Sequence, residues 1–225
     1  MKENETVLEE EFQFIQQSHS ELTPTALTDS TEVEHHLEIT MIDGKVQTAL
    51  SDKTSSSQCC SMCGLNPSKM NCLDHAVKIS SDLQPTSFQF SLSILHMWIR
   101  CMECLLHIAY RLDFKTWQAR GLAKKETVKA RKLIIQQQLR EKLGIIVDIP
   151  KSGGSGTTND GNTSRCFFQN SETVSQVLGV NEELTKRLYI LLCTLSSYRE
   201  INADRLEEFC LSTARLYVLE YPCCA

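Results

Sequence analysis

The chain has 225 residues, 41% of them hydrophobic, enough for one medium domain or two small ones with a real core. Its net charge of −5 does not by itself suggest nucleic acid, and its eleven cysteines are an odd, scattered number. These features fit a reduced intracellular protein with one metal site better than a disulfide framework, and the lack of an opening basic-then-apolar run argues against secretion.

The charge is unevenly placed. Residues 1–36 hold nine acidic groups against Lys2 alone, whereas residues 115–142 hold nine basic groups against Glu126 and Glu141. The first 36 residues therefore read as a mostly disordered acidic arm, with a short helix near Val7 to Ile15. Leu37, Ile39 and Met41 alternate with Glu38 and Thr40 as a strand. Asp43 and Gly44 signal a turn, and Val46 to Leu50 returns, so a small β-hairpin is expected over 37–50.

Next comes a turn-rich cysteine segment. Cys60-x-x-Cys63 has zinc-knuckle spacing and is followed by Gly64. Cys72 and His75 would complete a C-x2-C-x8-C-x2-H set. The alternatives are a half site closed by distant residues, or free thiols.

From Leu92 the chain reads as helical. His96, Arg100, Glu103, His107 and Arg111 form one polar stripe on an otherwise apolar run. Their charges argue against a membrane span. Ion pairs and hydrogen bonds along the helix explain the stripe more simply than a metal or acid–base face does.

A basic helix or helix pair follows from Lys115 to Gly144, with a break at Gly121. Leu122, Val128, Ile135, Leu139 and Leu143 supply its apolar side. Its cations are Lys115, Arg120, Lys124, Lys125, Lys129, Arg131, Lys132, Arg140 and Lys142. Such an excess suits a phosphate backbone, unless the acidic arm covers it.

The glycine-rich loop over 150–165 has the spacing of a phosphate-binding Walker loop between Gly156 and Gly161. Asn162, however, stands where the lysine is required, so no nucleotide is expected. A tight turn over Asn159 to Asn162 is the better reading. Further on, Asn170 or Ser171 caps a helix ending at Gly179, Asn181 caps Glu182 to Ser197, and Asn202 caps Ala203 to Glu220.

Taken in order, the segments MIDGKV, CSMCG, LHMWIRCMECLLHIAYRLDFKTWQARG and REKLGIIVDIPKSGGSGTTNDGNTSRCFF resemble the later part of Transib-type DDE transposases. These are relatives of the catalytic subunit of the V(D)J recombinase. The likeness spans about residues 37–222 and implies an RNase H-like sheet with three metal-binding carboxylates, interrupted by a helical insertion with a zinc site. It matches Asp43 to the second carboxylate, and Cys60 and Cys63 to the cysteine half of the zinc site. It places His96 and the nine cations in the DNA-facing insertion, and Asn162 and Arg165 in its loop.

The first and third carboxylates and the zinc histidines find no match, and two-metal chemistry needs several carboxylates. Mg or Mn would enter only if another chain completed the site. The expectation is a mostly α protein of the α+β class. It has an acidic arm at 1–36, a hairpin and CxxC segment at 37–90, and a helical insertion-like bundle at 91–222, the remnant of an RNase H-like core. In function it is a nuclear, non-catalytic DNA-binding derivative or fragment of a transposase, paired with itself or with a related recombinase chain. The alternatives are a zinc-stabilised protein-interaction module, or a subunit of an active recombinase.

Overall fold

The computed structural model describes residues 5–27, 31–36, 60, 65–66, 69, 71–74, 77, 93–114, 121–153 and 156–222. The chain divides into two compact units, Met1–Ser93 and Ile94–Ala225. Among the described residues it is mostly helical with one small antiparallel sheet, which agrees with the expected class at that level. The hairpin expected over 37–50 lies outside the described residues.

In the first unit, helix α1 spans Glu5–Ser20. No glycine or proline interrupts it, so the short helix expected at Val7 to Ile15 extends in both directions. Strands β1 (Thr25–Ala26) and β2 (Glu32–Val33) pair antiparallel, with Thr25 opposite Val33 and Ala26 opposite Glu32. The His35 side chain reaches Thr25 Oγ1 at 2.9 Å, and its carbonyl meets the His19 ring at 3.0 Å. The acidic arm thus carries local structure, although Val7, Phe14 and Ile15 on α1 stay exposed.

The second unit is a bundle built around α2 (Ile94–Ala109). Trp98, Met102, Leu105, Leu106, Ile108 and Ala109 are buried and form one face of the helix, with the expected polar stripe on the opposite side. Helix α3 (Leu122–Leu143) contributes Ile135 and Leu139 to the same core. Leu122, expected on its apolar side, is 76% exposed. It sits in the first turn of the helix.

Helices α4 (Gly161–Gln169), α5 (Ser171–Leu178), α6 (Glu182–Leu195) and α7 (Ala203–Glu220) complete the unit. α2 packs on α4, α5 and α6, α3 packs on α5, and α7 packs on α6. Caps set the boundaries. Asp160, Asn181 and Asn202 accept hydrogen bonds from the N–H of Thr163, Leu184 and Arg205, each satisfying an otherwise orphan helix donor. Asn170 stands at the α5 cap position, but its amide donates to Cys166 O instead. Gly144 and Gly179 end α3 and α5 at φ 69° and 71°, a left-handed conformation that glycine adopts without strain.

Candidate nucleic-acid interface

Helix α3 is rich in Ala, Leu, Lys, Gln, Glu and Arg, all strong helix formers, and Arg140 and Lys142 in its last turn favour the negative end of its dipole. Its cations divide by what their side chains meet. Lys125 and Lys129 are one turn apart, and Arg140 follows three turns later on the same strip. All three are exposed. Neither they nor Lys142 has an ion-pair or hydrogen-bond partner for its side chain among the described residues. Lys124, also exposed, lies 5.8 Å from the Phe114 ring centroid. Leu133 and Ile134 are each 57% exposed on the outward side.

Arg131 and Lys132 are half-buried and are engaged in contacts within the fold. The Arg131 guanidinium donates to Ala109 O, to Leu178 O at 3.4 Å and to Asp113 Oδ2 at 3.0 Å. Ala109 and Leu178 are the last residues of α2 and α5, so one side chain serves two helix C-termini whose carbonyls lack intrahelical donors.

Lys132 Nζ lies 3.5 Å from Asp148 Oδ2 and 5.5 Å from the Tyr110 ring centroid. Asp148 is 8% exposed and is the hub of a polar network. Tyr110 Oη donates to its Oδ2 at 2.8 Å, and Asn159 Nδ2 donates to its Oδ1 at 2.6 Å. The Asp148 N–H in turn donates to Asn159 Oδ1 at 2.8 Å. Asn159 Nδ2 also reaches Glu103 Oε1 at 3.2 Å, and Glu103 pairs with Arg100 at 2.9 Å. The polar stripe of α2 thus runs into α3 through two loop residues.

Burial works to raise the Asp148 pKa, but hydrogen bonds from Asn159 and Tyr110 and the charges of Lys132 and His107 outweigh it and hold the carboxyl below its ordinary value. A depressed carboxylate contributes stability that is present above its unfolded pKa. That contribution is lost as pH falls through the native value. Burial lowers the His107 pKa, opposed by Asp148 and Glu103.

Asn162 and Arg165, expected in a loop, lie on α4 because the Asp160 cap starts the helix where a tight turn was expected. Both are exposed. The Arg165 guanidinium stands 5.7 Å from the Trp98 ring centroid, a cation–π distance. Trp98 is fixed by its indole N–H to Ser196 Oγ at 2.9 Å and by edge contacts with Phe168 and Tyr189. His96 is exposed on the first turn of α2.

Asp43, Cys63, His75, Lys115 and Arg120 lie outside the described residues. Cys60 is half-buried and Cys72 exposed. Three backbone hydrogen bonds lead from one to the other: Cys60 N to Leu65 O, Lys69 N to Asn66 O and Cys72 N to Lys69 O. Cys101 and Cys104 share the CxxC spacing but sit on the continuous helix α2, and burial pushes the Cys101 thiol up to about 11. Among the described residues no group of three His, Cys, Asp or Glu side chains is placed to hold a metal ion, and no helix is long and apolar enough to cross a membrane.

Tyr110 and Asp148 escaped sequence reasoning, and Asn159 reads in the sequence only as part of a tight turn. The one local signal was an aspartate directly after the apolar run Ile145 to Val147. No protein-family model matches the chain, and no curated protein matches it significantly.

Proposed function

We propose that this is a transposase-derived, non-catalytic protein that binds duplex DNA in the nucleus through the phosphate backbone. The observation that supports this most is the exposed strip of Lys125, Lys129 and Arg140 on α3. Unlike Arg131 and Lys132, these cations have no side-chain ion-pair or hydrogen-bond partner among the described residues. Arg165, held over Trp98, and Asn162 extend the polar surface at α4. The resemblance to DDE transposases supports the DNA assignment, and a single matched carboxylate, Asp43, supports the absence of strand cleavage.

Each neutralised phosphate releases condensed counterions, so log K falls with log salt by about 0.9 per contact. Titrating full-length protein onto a fluorescent duplex at increasing salt tests the reading. The K125E/K129E/R140E variant should lose about 500-fold in affinity near 0.1 M salt and ~2.7 units of slope, while its melting temperature holds. Absence of duplex binding at low salt, or a triple variant that binds like the parent, overturns the proposal.

Zinc belongs to the same reading. Cys60 and Cys63 would hold it, with Cys72 and His75 or more distant residues completing four ligands, and it would tie the cysteine turns together. Purified protein should carry about one zinc per chain and lose it on Cys60→Ser. Metal-free protein of unchanged thermal stability would remove zinc from the picture.

A second reading, a protein-interaction module, draws on the exposure of Leu133 and Ile134. It predicts a folded chain with no salt-dependent duplex affinity.

A further inference from the structure

Between α3 and α4 two short segments, 149–153 and 156–158, pair as the legs of a finger. Pro150 and Thr157 form an antiparallel bridge. Thr158 N–H donates to Ile149 O at 2.9 Å, and Lys151 N–H to Gly156 O at 3.2 Å. Gly153 and Gly156 have φ 77° and 109°. Ile149, Lys151 and Ser152 are exposed, so the finger has little core of its own.

Its two legs meet at Asp148 and Asn159, which exchange hydrogen bonds in both directions. Each residue is also fastened to the bundle. Asp148 binds Tyr110 just beyond α2 and Lys132 on α3, and Asn159 binds Glu103 on α2. Gln136 of α3 donates to Val147 O at 2.8 Å, just before the first leg. Asp148 makes these contacts at φ 55°, a left-handed backbone that a non-glycine residue adopts at a cost of about 1 kcal/mol or more.

We propose that the Asp148–Asn159 pair is a latch that positions the finger beside α3, so that Lys151 and the exposed finger backbone extend the phosphate-contacting surface of α3. The proposal rests on the duplex-binding reading for its ligand, but not for the latch itself. Asp148 acts here as a positioning residue. The groups facing it are Tyr110 and His107 from the α2 side, Lys132 from α3, and Asn159 from the second leg, with Glu103, Arg100 and Arg111 around them.

The test uses full-length protein in two arms. In the first, without DNA, hydrogen exchange is followed at the Lys151 and Thr158 amides and in the core helices α2 and α4. Asp148→Asn and Asp148→Gly should each speed exchange at the two finger amides ~10-fold or more, with the core amides unchanged. The glycine variant relieves the positive φ while deleting the carboxylate, so it separates the latch from backbone strain. Unchanged finger exchange, or an equal loss throughout the bundle, overturns the latch.

In the second arm, Asp148→Asn should weaken duplex binding about eight-fold near 0.1 M salt and lower the salt slope by ~0.9, the loss of one phosphate contact. A loosened finger with unchanged affinity and slope overturns its role on DNA. A parent chain that binds no duplex overturns the duplex reading, and with it the finger's ligand. The exchange arm then judges the latch alone.

Discussion

Replacing Arg131 by alanine is expected to destabilise the helical unit by about 2–4 kcal/mol, far more than removing any lysine of the exposed strip. The guanidinium is anchored at Ala109 O, Leu178 O and Asp113, with its side chain only 28% exposed. Truncation leaves carbonyls at two helix C-termini without a donor, and both dipoles lose the cation that stabilises them.

Lysine at this position keeps the charge but not the planar fork, so Arg131→Lys should recover less than half of the loss. Chemical denaturation of the three proteins at neutral pH checks this. A loss within ~0.5 kcal/mol, the range for ordinary surface changes, would show that the clamp contributes little. The result also bears on DNA binding: weakened affinity in an Arg131 variant would report partial unfolding, whereas weakened affinity in a Lys125 variant would not.

Phe168→Ala is expected to cost about 3–5 kcal/mol. The ring is fully buried. It meets Trp98 edge-on at 5.9 Å and Phe167 at 5.2 Å, with interplanar angles of 71° and 72°. Such pairs contribute about 0.5–1.5 kcal/mol beyond burial, and Trp98 in turn carries Arg165. Domains of this size hold roughly 5–15 kcal/mol in all, so the variant should melt ~10–20 °C lower or fail to fold. Phe168→Leu, which keeps most of the volume, should cost only about 1–1.5 kcal/mol. Equal melting temperatures for the leucine and alanine variants would contradict this account of the core.

Local chemistry was readable in the chain. Asn181 and Asn202 cap the helices they precede because a cap needs only its own side chain and an N–H three residues on. The α2 stripe was readable for a similar reason, since one helix face repeats at fixed spacing. What could not be read depends on distance along the chain. Arg131 meets partners 22 and 47 residues away, and Tyr110 meets Asp148 38 residues away. Composition therefore showed that α3 is basic but not which cations face solvent. The glycine-rich stretch also concealed a helix start, because Asp160 satisfies the Thr163 N–H and begins α4 inside what reads as a loop.

Helix α7 packs mainly against α6, and Thr213 is its one buried residue among those described. Its place in the bundle depends on Leu216 and Tyr217, which pack against the core, and on a few border contacts: Arg187 to Ser212 Oγ, the Arg187 guanidinium over Phe209, and Tyr221 Oη, just past its end, accepting the Asn181 N–H. A helix held this way can change most of its side chains with little effect on the rest of the unit. Over evolutionary time its sequence should drift faster than that of α2 or α4, with change restrained mainly at Asn202, Phe209, Thr213, Leu216, Tyr217 and Tyr221.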